Sequence, residues 1–173
     1  MMRPHEAFQA PIAAMLIADG GAPTKGAAAG TRPEEVIDSR VGRVKQHIRR
    51  YVESGGADGH IWDGRPTLLL TTLGRKTGRL YRSALIYGKH GDQYVVVASA
   101  RGAARHPSWY LNLLEEPEVT VQVGSDVFTA QAREASANEK PELWQAMTSI
   151  FSKFERYQAR TKRVIPVVVI ERA

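Results

Sequence analysis

Six short apolar runs of β type, most of them joined by tight turns rather than by helices, constrain the fold more than any other feature of this sequence. They lie at 67–73 (T-L-L-L-T-T-L), 82–87 (R-S-A-L-I-Y), 93–99 (Q-Y-V-V-V-A-S), 119–123 (V-T-V-Q-V), 127–133 and 164–170 (V-I-P-V-V-V-I). His90-Gly91-Asp92 and Gly124-Ser125 carry turn chemistry between successive runs and predict two β-hairpins. A doubly wound parallel sheet needs a helix after nearly every strand, and those helices are missing here. The expected solution is an α+β fold: a mostly antiparallel sheet of six strands closed into a small barrel, with helices outside.

Three segments have helical periodicity. Thr31, Pro33 and Glu34 have the form of an N-terminal cap, and Ile37, Val41, Val44, Ile48 and Val52 then recur at helical spacing up to Gly55-Gly56, predicting a helix over 33–54. Pro107 opens a short helix that ends before Pro117. Leu143, Met147, Ile150, Phe151 and Phe154 predict one long helix within 138–160. Residues 19–30 are nearly all small and cannot bury enough surface to offset their ordering entropy, so 1–30 is expected to be a mobile extension and 31–173 the barrel domain.

A length of 173 residues with 43% hydrophobic composition suits one domain, and the absence of cysteine excludes disulfide frameworks, thiolate metal centres and cysteine nucleophiles. The five histidines form no H-E-x-x-H pair, and there is no G-x-S-x-G elbow, so neither a metal site nor triad chemistry is expected. No apolar run reaches the roughly 18–20 residues of a spanning helix. The apolar stretch 7–18 contains Gln9 and Pro11 and lacks a strongly basic start, so it does not suit a signal peptide, and the expected location is cytoplasmic.

The formal net charge is +6. Between Gly64 and Leu114 stand Arg65, Arg75, Lys76, Arg79, Arg82, Lys89, Arg101 and Arg105 against the single acid Asp92. Such cations either protect strand edges from aggregation or form an anion-binding face. Gly74-Arg75-Lys76-Thr77-Gly78 favours the second reading, because a tight turn brings N–H groups, a guanidinium, an ammonium and a hydroxyl onto one anion. It is not a Walker A loop, which needs Gly, four residues, then Gly-Lys-Ser/Thr. Ser99, at a strand end, followed by a loop into the helix at Pro107, offers a second anion site. Trp109, Tyr110 and Leu113 are either part of that site or the core face of the short helix. Phe151, Phe154 and Tyr157, at spacing i, i+3, i+6, are either core or an aromatic wall against a planar ligand, and Tyr157 alone of them has a proton to give. Arg40, Arg43, Lys45, Arg49 and Arg50 offer either a solvated basic face or a weak contact with the inner, anionic face of a membrane. A nucleic-acid partner is not expected, because no strand interleaves aromatic and basic residues in the manner of RNA-binding sheets.

In combination and in order, the stretches L-L-L-T-T-L-G-R-K-T-G at 68–78, V-V-V-A-S at 95–99, H-P-S-W-Y-L-N-L at 106–113, E-R-Y-Q at 155–158 and R-V-I-P-V-V-V at 163–169 carry a resemblance. From about Val44 to Arg172 the chain resembles the deazaflavin-dependent nitroreductase family of actinobacteria, whose members bind coenzyme F420 on a split β-barrel. The resemblance implies that Arg75, Lys76, Thr77 and Arg82 hold the phosphate and polyglutamate tail of the cofactor. It implies that Ser83, Ala84, Leu85, Ile86 and Tyr87 line the deazaflavin ring, with Val97, Ala98, Ser99, Ala100, Ser108, Trp109, Tyr110, Leu111, Asn112 and Phe154 completing the cradle. Trp109, Phe151, Phe154 and Tyr157 would cover the substrate, and Tyr157 and Ser99 are the implied catalytic residues. The implied reaction is hydride transfer from the reduced deazaflavin to an activated alkene, a quinone or a nitro compound, in a monomer or weak homo-oligomer. A deazaflavin carrier without turnover and an FMN-dependent split-barrel oxidoreductase are the competing readings. The chain departs from the family pattern at Ala100-Arg101-Gly102, where a lysine and two glycines are common. It departs again at Phe151-Ser152, commonly Trp-Pro or Tyr-Pro, at Phe154, commonly Tyr, and by one residue of spacing between Gly78 and Arg82.

Overall fold

Leu68, Leu69 and Leu70 are each at most 1% exposed, as are Val167 to Ile170. Unbroken apolar runs like these arise where a strand has protein against both faces, because successive side chains point to opposite sides. Here one face lines a barrel interior and the other lies under a helix. The computed structural model describes residues 35–173, of which Val36–Ala173 form one compact unit. The expected extension over 1–30 and the cap at Thr31 to Glu34 lie outside the described residues.

In chain order the elements are β1 (Ile37–Asp38), α1 (Gly42–Glu53), β2 (Ile61–Trp62), β3 (Arg65–Leu73), β4 (Leu80–His90), β5 (Gln93–Val97), a 3-10 turn (Ala100–Gly102), α2 (Ser108–Glu115), β6 (Glu118–Val123), β7 (Asp126–Glu134), α3 (Lys140–Ile150), α4 (Lys153–Arg160) and β8 (Val167–Arg172). Strands β3, β4, β5, β8, β7 and β6 pair in that cyclic order, all antiparallel, and β6 closes the ring onto β3. The expected six-stranded antiparallel barrel with helices outside is therefore present, with β1 and β2 as two-residue additions to β4 and β3. Both hairpins fall at the expected turns, with His90 opposite Gln93 and Val123 opposite Asp126.

The interior holds Leu68, Leu70, Val96, Val121, Phe128, Val168 and Ile170, and α2 adds Trp109, Tyr110 and Leu113 to the same cluster. On the outside, Leu69 and Ala84 meet Ile48 and Tyr51 of α1. Val95, Val97, Val167 and Val169 meet Leu143 and Met147 of α3 and Phe154 of α4. Burying each large side chain of this kind stabilises the fold by roughly 1.5–3 kcal/mol.

Two helix boundaries differ from expectation. The helix predicted over 33–54 begins at Gly42, because Ile37 and Asp38 pair with Tyr81 and Arg82 as β1. The single long helix predicted within 138–160 is two helices. Phe151 takes φ −145° and ψ 90° and Phe154 N–H bonds to the Phe151 carbonyl, which turns α4 away from the axis of α3 while keeping both apolar faces on the barrel. The last strand starts at Val167 rather than 164.

Candidate active site

The barrel is open along one edge. On one side β4 is paired continuously, Leu80 to Ile86 against Leu73 to Thr67 of β3. On its other side β1 reaches only Tyr81 and Arg82, and the ladder with β5 runs only from Tyr87 to His90. Ser83, Ala84, Leu85 and Ile86 thus have no strand partner on that edge among the described residues. Continuing the β4–β5 register would set Leu85 opposite Ala98 and Ala84 opposite Ser99, but the ladder ends at the Tyr87–Val96 pair. The result is a slot with the edge of β4 on one wall and the Ser99–Gly102 turn on the other. Four residues at about 3.3 Å each make it roughly 13 Å long. Leu80 to Ile86 are all half-buried, whereas Thr67 to Thr72 on the neighbouring strand are all buried.

Alternation along β4 divides the residues that the resemblance assigns to the ring. Leu85 and Tyr87 belong to the interior cluster, while Ala84 and Ile86 face outward under α1 and beside α3 and α4. Tyr87 points away from the slot, its hydroxyl 2.9 Å from His60 Nε2, and burial followed by the neighbouring Tyr94 holds that phenol above its usual pKa.

At the far wall, Ala100, Arg101 and Gly102 have φ of 44°, 55° and 82°. Two of these are not glycine, and each costs about 1 kcal/mol in the left-handed region. Arg163 opposes that cost. Its guanidinium donates to the carbonyls of Ser99 (2.7 Å), Ala103 (2.8 Å) and Ala98 (3.2 Å). Its Nη1 also lies 3.1 Å from His106 Nδ1. A Cβ on Gly102 would stand 2.6 Å from the Tyr157 carbonyl oxygen, so α4 lies directly on the turn and Tyr157 is brought beside the Ser99 segment. Ser99 is a largely buried residue at a strand end, and its hydroxyl keeps some exposure and has no hydrogen-bond partner among the described residues.

The Gly74–Gly78 turn leads into β4, with the N–H groups of Thr77 and Gly78 on the Gly74 carbonyl. Asn112 holds it from below: the side-chain oxygen accepts from Arg75 N (3.3 Å) and Nη1 (3.0 Å), and its amide donates to Thr72 Oγ1 (3.1 Å). Asn112 is 3% exposed, so this is a buried anchor rather than a ligand-facing amide. Lys76 is exposed with no hydrogen bond or ion pair to another described residue, and the Thr77 hydroxyl contacts Tyr81 OH at 3.1 Å. Arg82, expected with them, is bound bidentately to Asp38 at 2.7 and 3.2 Å. Its charge is already matched. Asp38 was hidden from the sequence reading by its place in the predicted helix.

Of the α2 residues, Ser108 is exposed at the helix start and Leu111 half-buried, while Trp109, Tyr110 and Leu113 are core. Tyr110 donates to Glu134 Oε2 at 2.6 Å, and burial, followed by that bond, raises its pKa strongly. Phe151, Phe154 and Tyr157 do cluster, with ring centroids 5.0 to 6.3 Å apart. Phe154 is core, whereas Phe151 and Tyr157 are half-buried. Arg65, which no motif singled out, lies 4.7 Å from the Phe151 ring centroid as a cation–π partner.

The cations of α1 are largely matched, with Arg43 on Asp63, Arg49 on Glu53 and Arg50 near Asp58. No helix among the described residues is long and apolar enough to cross a membrane, and none of their acid and histidine clusters could hold a metal ion.

Residues 43–172 match the family described as F420H(2)-dependent quinone reductase. A Mycobacterium tuberculosis protein of that name is 37% identical over 133 residues, which cover 75% of this chain and 89% of that protein. A solved structure described as an F420-H2 dependent reductase superposes with a TM-score of 0.57 at 36% identity, covering 62% of this chain and 95% of that one. Another, described as a domain-swapped dimer, gives 0.60 at 36% identity and covers 77% of this chain and 100% of that one.

Proposed function

The chain belongs to the F420H(2)-dependent quinone reductase family, oxidoreductases whose cofactor is coenzyme F420, and we propose that the deazaflavin ring occupies the slot between residues 83–86 and the Ser99–Gly102 turn. The unpaired edge of β4 is the observation that carries this reading. It presents free backbone donors and acceptors to a flat heterocycle, beside the Ser99 hydroxyl, which has no partner among the described residues. The donor set fits the rest of the cofactor: Lys76, Arg75 and the Thr77 hydroxyl stand on the turn that leads into β4, where a phosphate and a carboxylate tail would be held. Arg82 takes a supporting part, fixing β1 to β4 through Asp38 rather than meeting the tail.

When bound, reduced F420 supplies a hydride. The chain's own residues bind, orient and protect. The half-buried edge of residues 83–86 provides the wall against which the ring lies, and Ser99 and the turn fix its rotation. Tyr157, beside the turn, and Phe151, packed against the Tyr157 ring, form the aromatic surface for the acceptor, a role Phe154 supports from the core. Reduction of a quinone to the hydroquinone consumes the hydride and a proton, and the Tyr157 phenol or a solvent molecule delivers that proton. Activated alkenes and nitro compounds are electron-poor acceptors of the same kind, and the same orientation serves them.

The test is reoxidation of F420H2 by the purified protein with menadione, cyclohexenone and a nitroarene as acceptors. Turnover with menadione supports the reading, and the other two set its breadth. Tight F420 binding with no turnover on any acceptor would make the protein a carrier instead.

A further inference from the structure

The Arg163 guanidinium makes four polar contacts, and all four go to one segment of nine residues, the carbonyls of Ala98, Ser99 and Ala103 and the imidazole of His106. That segment contains the three consecutive left-handed residues, and the Tyr157 backbone closes on Gly102 within it. A guanidinium cannot accept a hydrogen bond, so His106 Nδ1 must be the bare, accepting nitrogen, and its proton sits on Nε2. The contact exists only while the imidazole is neutral.

We infer that Arg163 is a positioning residue, and that together with neutral His106 it latches the Ser99–Gly102 turn in the form that grips the cofactor. The inference rests on the functional reading above. Protonating His106 turns the accepting nitrogen into a second cation's donor, 3.1 Å from Arg163, and weakens the latch. The groups that bear on His106 are Arg163 from the segment after α4, Glu134 from β7 and the Tyr110 ring of α2 at 4.9 Å. Burial and Arg163 favour its neutral form more than Glu134 opposes it. The latch is therefore closed at neutral pH and opens in acid.

The test is the Kd for oxidised F420, measured by calorimetry from pH 7.5 to 5.0, for the wild type, Arg163→Lys and His106→Asn. The asparagine oxygen stands close to where Nδ1 stood and accepts without titrating. Dividing each wild-type Kd by that of His106→Asn cancels any titration of the cofactor itself. The expected results are a wild-type affinity that falls at least fivefold more than that of His106→Asn over this range, and a Kd for Arg163→Lys raised about tenfold at pH 7.5. Lysine keeps the charge but cannot span four acceptors. Thermal melts of both variants separate this from loss of folding, and if Arg163→Lys melts below the assay temperature, the His106→Asn comparison decides. Parallel pH profiles of the wild type and His106→Asn would overturn the latch while leaving the functional reading intact. No binding by the wild type at pH 7.5 would overturn the functional reading and the latch with it.

Discussion

Asn112 shows how a single buried amide joins distant parts of the site. It accepts from Arg75 and donates to Thr72, tying α2 to the end of β3. Replacing it with Ala leaves the Thr72 hydroxyl and the Arg75 N–H groups without their partner and should cost roughly 1–3 kcal/mol. A urea melt of Asn112→Ala measures that loss, and its F420 affinity should fall with it because the Arg75 turn loosens. Arg75 stands out in the sequence through the Gly74–Gly78 turn and Asn112 through the family resemblance, each as a cofactor-binding residue, but the bond between them does not. A contact across 37 residues between a turn and a helix leaves no local signal. Arg163 was similarly visible only as the first letter of the R-V-I-P-V-V-V stretch that carries the family resemblance. A second residue-scale effect lies at Glu139, whose carboxyl is held down to about 2, chiefly by the Arg133 guanidinium and then by the Ser136 N–H. Its folded value lies below the unfolded range of about 4.3. The stabilisation is therefore complete above that range and is lost as pH falls toward the folded value. The melting temperatures of the wild type and Glu139→Gln should differ at pH 7 and approach each other as pH falls toward about 2.

At the scale of elements, the α3–α4 junction is where the sequence was legible and was misread. Leu143 to Phe154 keep their apolar spacing across the break because both helices lie on the same barrel face, so periodicity alone extends one helix through it. The family pattern of a proline at position 152 already marked the interruption, since proline is excluded from helix interiors. Ser152 has φ −59°, its N–H makes no backbone hydrogen bond among the described residues, and Phe151 before it is extended. Those are the conditions proline requires. Ser152→Pro should fold normally and gain about 0.4–1 kcal/mol in chemical denaturation. The α1 boundary was misread for a different reason: Ile37 and Val41 fit helical spacing by accident, while the pairing of Ile37 with Tyr81 is a long-range contact. Docking of α1 also requires Gly56, where a Cβ would lie 2.1 Å from the Gly124 backbone and φ is +85°. Gly56→Ala should destabilise by about 3 kcal/mol or more, or fail to fold, as seen by yield and thermal melt.

For the whole molecule, closure of the barrel follows from the order of β-type runs and the scarcity of helices between them, which is why the fold was readable before any side chain was placed. The slot was not readable in the same way. It exists because β1 and β5 occupy different stretches of one edge of β4 and leave four residues between them, and register of that kind depends on the whole assembly. The anionic tail of the cofactor should meet the exposed ammonium of Lys76 near the start of β4, so binding should weaken as salt rises. The most direct test of the account is a fluorescence titration of the wild type and Lys76→Ala with oxidised F420. The account predicts micromolar binding by the wild type and a loss of about fivefold or more in the variant, on the order of 1 kcal/mol for one exposed charge-assisted contact. Absence of binding by the wild type, or equal affinity in the two proteins, would contradict it.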